Sequence, residues 1–457
     1  MNSPTSSIRF QVHRREPELI VPAKPTPYDF KPLSDIDDQE GLRFHIPVVQ
    51  IYKHDPSMQG KDPVKVISEA LAKALVFYYP FAGRLREWPN RKLVVECTSE
   101  GVLFIEADAN VTLEQCGDAL QPPFPLLDEL LFDVPGSSGV INCPLLLIQV
   151  TRFKCGGFIY ALRLNHTMSD GPGLVQFLTT VGEMARGEQN PSVLPVWERH
   201  VLNARNPPIT TCTHREYDEI PDNHIMNPFP LDDLDEQAFF FGPTEISSFR
   251  RYAPSHLGGC STFEILTACF WKCRTIALQP NPTTEMKMIF ANNVRNKFDP
   301  PLVPKGYYGN GFVLSTAVTT AEKLLKEPVS YAIELIKKAK ADTTREYVQS
   351  VADTLLIKGR PHFTTEEAYF MSDVRHMGFR EVDFGWGRAT YAGPINSTPM
   401  QCSYYLPFEN EKREIGFMLP ICLPAQAMER FAKELKILLQ DKPVNGVVSS
   451  SFIQSPL

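Results

Sequence analysis

In the strand-like run Phe158–Leu164, Leu162 and Leu164 alternate with Arg163 and with Asn165 just beyond it. That is the period of two expected of a half-buried strand. Asp170-Gly171-Pro172-Gly173 follows closely, and then Leu174, Phe177, Leu178 and Val181 recur at helical spacing. A strand, a tight turn and a helix are therefore predicted in succession, with His166–Asp170 in the turn. Upstream, Asp62-Pro63 supplies a cap and a first turn, and Val64, Ile67, Leu71, Ala74 and Tyr78 form an apolar stripe, which predicts a helix from Pro63. Leu93–Cys97, Val102–Glu106 and Leu145–Val150 read as strands.

From Gly187 to Asp235 the pattern breaks down: seven prolines and several polar clusters fall in this stretch. It reads as a long connection draped over the surface between two compact regions. Beyond it, Phe239-Phe240-Phe241 predicts a buried strand and Met286–Ala291 another. Ser261-Thr262-Phe263-Glu264 has capping-box spacing and opens a helix through Trp271. Pro328 opens a long helical stretch with Ile333, Leu335 and Ile336, and a helix after Pro424 places Met428, Phe431, Leu435 and Leu438 on one face. Strands alternating with helices in both halves predict an α/β fold.

At 457 residues, 43% hydrophobic and 22% charged, the chain suits two globular domains. A net charge of −7 argues against a generalised nucleic-acid surface, so an anionic ligand would need a local basic patch. Lys272 and Arg274 are candidates for one. Ten cysteines lie scattered without a Cys-x-x-Cys repeat. Cys269 and Cys273, one helical turn apart, read as buried thiols, and the whole set fits a reducing compartment. No signal pattern or membrane-length apolar run is visible, so a cytoplasmic protein is expected. Ser455-Pro456-Leu457 only weakly resembles a peroxisomal signal, which makes that compartment the minor alternative.

Histidine is the side chain best suited to take and return a proton near neutral pH. His166, delivered by a strand end, is the candidate base, against the blander reading of a structural histidine in an apolar setting. The other nine histidines supply no metal-ligand spacing, so no metal is expected. The second motif, Asp383-Phe384-Gly385-Trp386-Gly387, lies 217 positions downstream. Two glycines around a tryptophan suggest a tight, closely packed backbone path, with Asp383 capping a turn. Its first three residues match the protein-kinase Asp-Phe-Gly, but the kinase glycine loop, paired lysine and His-Arg-Asp loop are missing.

Together and at this distance, the two motifs resemble those of the plant BAHD acyl-CoA-dependent acyltransferases over nearly the whole chain. Tyr79–Arg84, Ser261–Glu264 and Tyr308-Gly309-Asn310 add to the likeness. Pro22–Pro27, Leu33–Phe44 and Leu162–His166 are similar to the alcohol acyltransferase branch, which includes benzyl alcohol O-benzoyltransferases. Condensation domains of peptide synthetases share the fold but carry a second histidine where Asn165 stands.

The resemblance implies two chloramphenicol-acetyltransferase-like domains of similar size with an active-site channel at their interface. Residues 1–190 would form the first, 191–235 a crossover linker and 236–457 the second, with a segment near 375–400 crossing to the first. It also implies direct transfer from acyl-CoA to an alcohol, with His166 as general base and no acyl-enzyme. Benzoyl or acetyl groups on benzyl or aliphatic alcohols come first, and a hydroxycinnamoyl or amine N-acyltransferase is the alternative. A non-catalytic binding protein on the same scaffold is disfavoured by the intact motifs. Asp170 is expected to set the loop in an ion pair with Arg295 rather than orient His166. Asp383 reads as a second proton acceptor or, preferably, as the residue holding Gly385 and Gly387 in their loop. Trp386 would donate to an oxyanion or simply pack. Ser261 and Thr262, at a helix N-terminus, are candidate CoA contacts, with plain capping the competing reading. No permanently bound cofactor is expected; acyl-CoA is a co-substrate, and the chain is expected to act as a monomer with small-molecule partners only.

Overall fold

Asp62 accepts a hydrogen bond from the Val64 N–H at 3.1 Å, Pro63 begins the first turn, and the helix Pro63–Phe77 follows. Its Ile67, Leu71 and Ala74 are fully buried, in one core with Phe177, Leu178 and Val181 of the helix Gly171–Ala185. The computed structural model describes residues 10–218, 233–365, 367–395, 402–410 and 412–440. Part of the crossover stretch, the end of the 375–400 segment and Ser455–Leu457 lie outside these.

The chain divides into two units of similar size. One comprises Met1–Val201, Val303–Gly311 and Met377–Ile395; the other comprises Leu202–Leu302, Phe312–His376 and Asn396–Leu457. The first is built on a seven-stranded sheet with the order Val12–Arg14, Val102–Ala109, Leu146–Arg152, Phe158–Asn165, His45–Tyr52, Tyr391–Pro394, and with Glu18–Ile20 also paired to Val102–Ala109. Only the pair Val102–Ala109 and Leu146–Arg152 is parallel. A three-stranded sheet of Phe30–Pro32, Lys92–Glu96 and Arg84–Trp88 completes the unit.

The second unit holds a six-stranded sheet ordered Leu234–Phe241, Ile415–Pro424, Cys402–Glu409, Ala368–Asp373, Glu285–Asn293, Phe312–Thr320. Ala368–Asp373 runs parallel to both of its neighbours. The helices Thr262–Leu278, Val329–Asp342 and Ala425–Gln440 bury Phe270, Trp271, Ile333, Met428 and Phe431 against Tyr405 and Phe417. Cys269 and Cys273 are buried in this core, which pushes both thiols up, and all ten cysteines are free. Among the described residues no helix is long and apolar enough to cross a membrane.

Two expectations need correcting, those for Phe239–Phe241 and for the proline-rich stretch, while the helix after Pro328 forms as expected. Phe239–Phe241 lies on a strand that is at the edge of its sheet among the described residues, and only Phe241 is fully buried. The helix opened by Pro328 ends at Asp342. Thr343 turns inward to bond Ser315 and Asn292, and Thr344 caps a separate helix, Arg345–Ile357. The proline-rich stretch is not simply draped over the surface, since Arg199, His214, Glu216 and Tyr217 are all buried.

His214 explains how that stretch is fastened in the second unit. Ser350 Oγ accepts the N–H groups of Thr211 and Cys212, each at 3.0 Å, and lies 2.8 Å from His214 Nε2. With both of its lone pairs used, the hydroxyl must donate to Nε2. Nδ1 then carries the ring proton and donates to Glu216 Oε1 at 2.9 Å, an oxygen that also accepts from Tyr347 at 2.7 Å. A serine, a histidine and a glutamate in series are also the parts of a hydrolytic triad. Here the serine is fully buried with its oxygen saturated, so the set is a latch. Ser350→Ala leaves two backbone donors and an imidazole nitrogen short of partners, and a loss of about 1–3 kcal/mol is expected in urea denaturation. A change below about 0.5 kcal/mol would mean the latch holds nothing.

Candidate active site

Pairing of the Phe158–Asn165 strand with His45–Tyr52 ends with Asn165 opposite His45. The His166 N–H then donates to Phe44 O at 2.8 Å, outside the ladder. Asn165 forces the turn: its buried Oδ1 accepts from the Thr167 N–H at 3.2 Å and the Thr167 hydroxyl at 2.7 Å. Asp170 then caps the helix Gly171–Ala185, with Oδ1 accepting the Gly173 N–H at 3.0 Å. Its Oδ2 accepts the Gly311 N–H at 2.9 Å. Ser169 Oγ donates to Tyr308 O at 2.6 Å, and a Cβ on Gly173 would sit 2.3 Å from that same carbonyl, so a glycine is required there. The histidine turn is therefore seated on the segment Tyr307–Gly311 of its own unit.

That seating has a charged centre. Asp37 is 0% exposed and Arg199 1%. Asp37 Oδ1 accepts from Arg199 Nη1 at 2.8 Å, from the Asn310 backbone N–H at 2.9 Å and from Asn310 Nδ2 at 2.8 Å. Its Oδ2 accepts from Ser34 N–H and Oγ. Arg199 Nη2 donates to Met168 O at 2.8 Å, inside the His166 turn. Its guanidinium also stacks over Trp197 at 4.3 Å and Tyr308 at 5.2 Å. Burial alone would weaken its hold on its proton, but the Asp37 carboxylate together with Tyr307 and Tyr308 outweighs that and drives its pKa up. Reading the sequence did not find Asp37, Arg199 or Asn310 as site residues. The signal was faint: an aspartate in Leu33–Phe44, an asparagine in Tyr308-Gly309-Asn310, and an arginine in a stretch that looked like linker.

His166 is partly exposed, and the half-exposed ring of Phe44 stands 5.4 Å away, centroid to centroid. Desolvation lowers the imidazole's pKa below its ordinary 6.5. Its own backbone carbonyl, the charge of Asp170, the Asn310 side chain and Asp37 act in the opposite direction without prevailing. The neutral imidazole, the form that accepts a proton, is thus favoured near neutral pH.

The second motif sits elsewhere in the same unit. Asp383 Oδ1 accepts the N–H groups of Gly385 at 2.7 Å and Gly387 at 2.8 Å. Those glycines have φ of +110° and +77°, a region that disfavours side chains. Trp386 is buried and meets Phe158 edge-on at 5.2 Å, and Phe384 packs on Tyr52 and Tyr160. Two rulers give the separation from His166. Phe158 precedes His166 by eight strand positions, roughly 26 Å of rise. Gly182, where a Cβ would lie 2.5 Å from Asp383 O, is twelve helical residues beyond Asp170, about 18 Å. Both put the Asp383 loop towards the opposite end of these elements from the His166 turn, and the Asp383 carboxylate is engaged there with Gly385 and Gly387.

Ser261 and Thr262 begin the helix Thr262–Leu278 in the second unit. Ser261 Oγ accepts the Glu264 N–H, Glu264 Oε2 accepts the Ser261 N–H, and Lys340 bonds Glu264 Oε1 at 3.0 Å. Arg295 follows the strand Glu285–Asn293, its N–H donating to Asn293 Oδ1; the ion pair with Asp170 remains an expectation of the resemblance. Arg274 is not available for a basic patch, because it is buried with its guanidinium over Tyr369 at 4.8 Å. Lys272 donates to Glu327 O.

A strand-end imidazole whose pKa burial lowers, on a two-unit α/β scaffold, can accept a proton near neutral pH. Residues 10–438 match the Transferase family. Benzyl alcohol O-benzoyltransferase of Petunia hybrida is 62% identical over 440 residues, 95% of either chain. Alcohol acyl transferase 1, allele RGb, of Malus domestica is 51% identical over 436 residues, 94% of this chain and 95% of that one. Among solved structures, vinorine synthase superposes with a TM-score of 0.71 at 23% identity, covering 94% of this chain and 98% of its own. TRI101 of F. sporotrichioides, complexed with coenzyme A and T-2, gives 0.68 at 19% identity, covering 89% and 97%. The chain belongs to the Transferase family, the BAHD acyltransferases, and to their alcohol acyltransferase branch. Its fold is the two-domain chloramphenicol-acetyltransferase-like α/β fold.

Breaking the buried pair should be costly. Arg199→Met strands the Asp37 charge, and a loss of about 3–5 kcal/mol is expected in urea denaturation, partly recovered when Asp37→Leu is added. A double variant no better than the single would show that the ion pair is not what fails.

Proposed function

We propose that this chain is an acyl-CoA-dependent alcohol O-acyltransferase in which His166 is the general base. The observation that carries the reading is the His166 imidazole itself, partly exposed beside Phe44 and held neutral by burial at the end of a strand. The alcohol gives its O–H proton to the imidazole as its oxygen attacks the thioester carbonyl. The tetrahedral oxyanion collapses, the C–S bond breaks, and the imidazolium returns the proton to the CoA thiolate. Ester and free CoA leave, and no group stays on the enzyme. Base assistance of this kind contributes about 10²–10⁴-fold.

Benzoyl-CoA with benzyl alcohol is the favoured pair, and acetyl-CoA with aliphatic alcohols comes next. The names of the Petunia and Malus relatives support an alcohol acceptor over an amine, as does the uncharged Phe44 ring beside the base. Asp383 takes a structural role in this reading, and Trp386 a packing one. Ser261 and Thr262 stay candidates for a CoA contact, a reading supported by Lys340 and Arg250 beside them.

The test is to incubate the purified protein with a panel of acyl-CoAs and of benzyl, aliphatic and amine acceptors, with products identified by mass spectrometry. Ester formation is expected, lost by about 10²–10⁴-fold in His166→Ala with the fold intact. Ester formation at wild-type rate in that variant would refute the mechanism. Phe44→Ala should raise KM for benzyl alcohol by a factor of roughly 2–10, matching about 0.5–1.5 kcal/mol for a ring contact. A short aliphatic alcohol should be affected less; equal effects on both would remove Phe44 from acceptor binding.

A further inference from the structure

We propose that Asn310 is a positioning residue that sets the tautomer and facing of the His166 imidazole, its own amide being oriented by the buried Asp37–Arg199 pair. The inference rests on His166 as the base and goes one step behind it.

An asparagine amide has a donating and an accepting end, and its chemistry must decide which faces where. Asp37, ionised against Arg199, only accepts, so the amide atom 2.8 Å from it is the NH2 group. The same Nδ2 reaches the His166 carbonyl at 2.9 Å and the Thr167 carbonyl at 3.3 Å. Both amide hydrogens are thereby committed. The remaining atom, Oδ1, is buried and takes no donor among the described residues, and the Asn310 side chain acts on the imidazole in the sense of an acceptor, favouring its protonated form. Asn310 thus fixes one acceptor, the His166 carbonyl, through Nδ2 and presents a second, its own Oδ1. The imidazole also interacts with that carbonyl. The ring nitrogen on the buried side is Nδ1; facing an acceptor there it carries the proton, which leaves the lone pair on Nε2 for the alcohol.

Asparagine in place of a carboxylate matters for the charge. The charged groups around the imidazole are Asp170 from the helix start, Asp37 from the 33–42 loop, and Arg199, which is paired with Asp37; Phe44 brings only a ring. A neutral orienter fixes the tautomer without stabilising imidazolium as strongly as a neighbouring aspartate would.

The test combines kinetics with 15N NMR of histidine-labelled, substrate-free protein, the His166 signals being assigned by their loss in His166→Ala. Wild type should show one His166 tautomer, and Asn310→Ala a mixture. In the same variant kcat should fall by about 10–10²-fold, part of what a base supplies, with KM for acyl-CoA within about threefold. Loss of the acceptor should also move the acid limb of kcat/KM to lower pH. Asn310→Ser, which keeps a hydroxyl near Asp37 but shortens the reach to the ring, carries the same readouts if the alanine variant does not fold. One unchanged tautomer at wild-type kcat, or a mixture already in wild type, overturns the proposal. A wild-type protein that acylates no alcohol would instead refute the proposed function, while the tautomer spectra would still judge Asn310.

Discussion

The ion pair between Asp37 and Arg199 is the constraint on which the site depends. Two fully buried charges are stable only when each is compensated and most of its hydrogen-bonding capacity is used, and here Arg199 Nε alone of the pair's nitrogens and oxygens takes no partner. Here the carboxylate takes donors from Arg199, Ser34 and both nitrogens of Asn310, and the guanidinium reaches Met168 O. Segments from three distant parts of the sequence, near residues 37, 199 and 310, are thereby fixed around the turn that carries His166. Asp170 adds a fourth tie through Gly311. The histidine has little freedom because every backbone group beside it is already engaged.

The second motif is a different device on the same sheet. Asp383 folds its loop around two left-handed glycines, and Phe384 and Trp386 fill the core at the far end of the strand that delivers His166. A motif can thus help mark the family and still lie apart from the His166 turn. Its rings pack on Phe158 and Tyr160 of the strand that delivers His166.

Much of this was legible in the sequence. Local patterns with their own punctuation read well: Asp62-Pro63, the Ser261 capping box and the Asp170-Gly171-Pro172-Gly173 turn all open helices where expected. His166 was legible because a strand pattern ends on it. What stayed hidden were long-range pairings. Nothing local marks Arg199 as buried, because its burial depends on Asp37, 162 positions away. The latch of His214, Glu216 and Ser350 escaped notice likewise, since proline-rich stretches read as surface when their anchors lie far along the chain. Phe239–Phe241 misled in the other direction, as apolar residues do not reveal that a strand lies at an edge.

The central claim is that burial keeps the His166 imidazole neutral and poised as a base. Titrating its ring by NMR in the substrate-free protein tests this most directly. A midpoint below the ordinary 6.5 is predicted, since desolvation outweighs Asp170, Asn310 and Asp37. A midpoint above that value would mean the nearby carboxylates prevail, and the account of a burial-neutralised base would be contradicted.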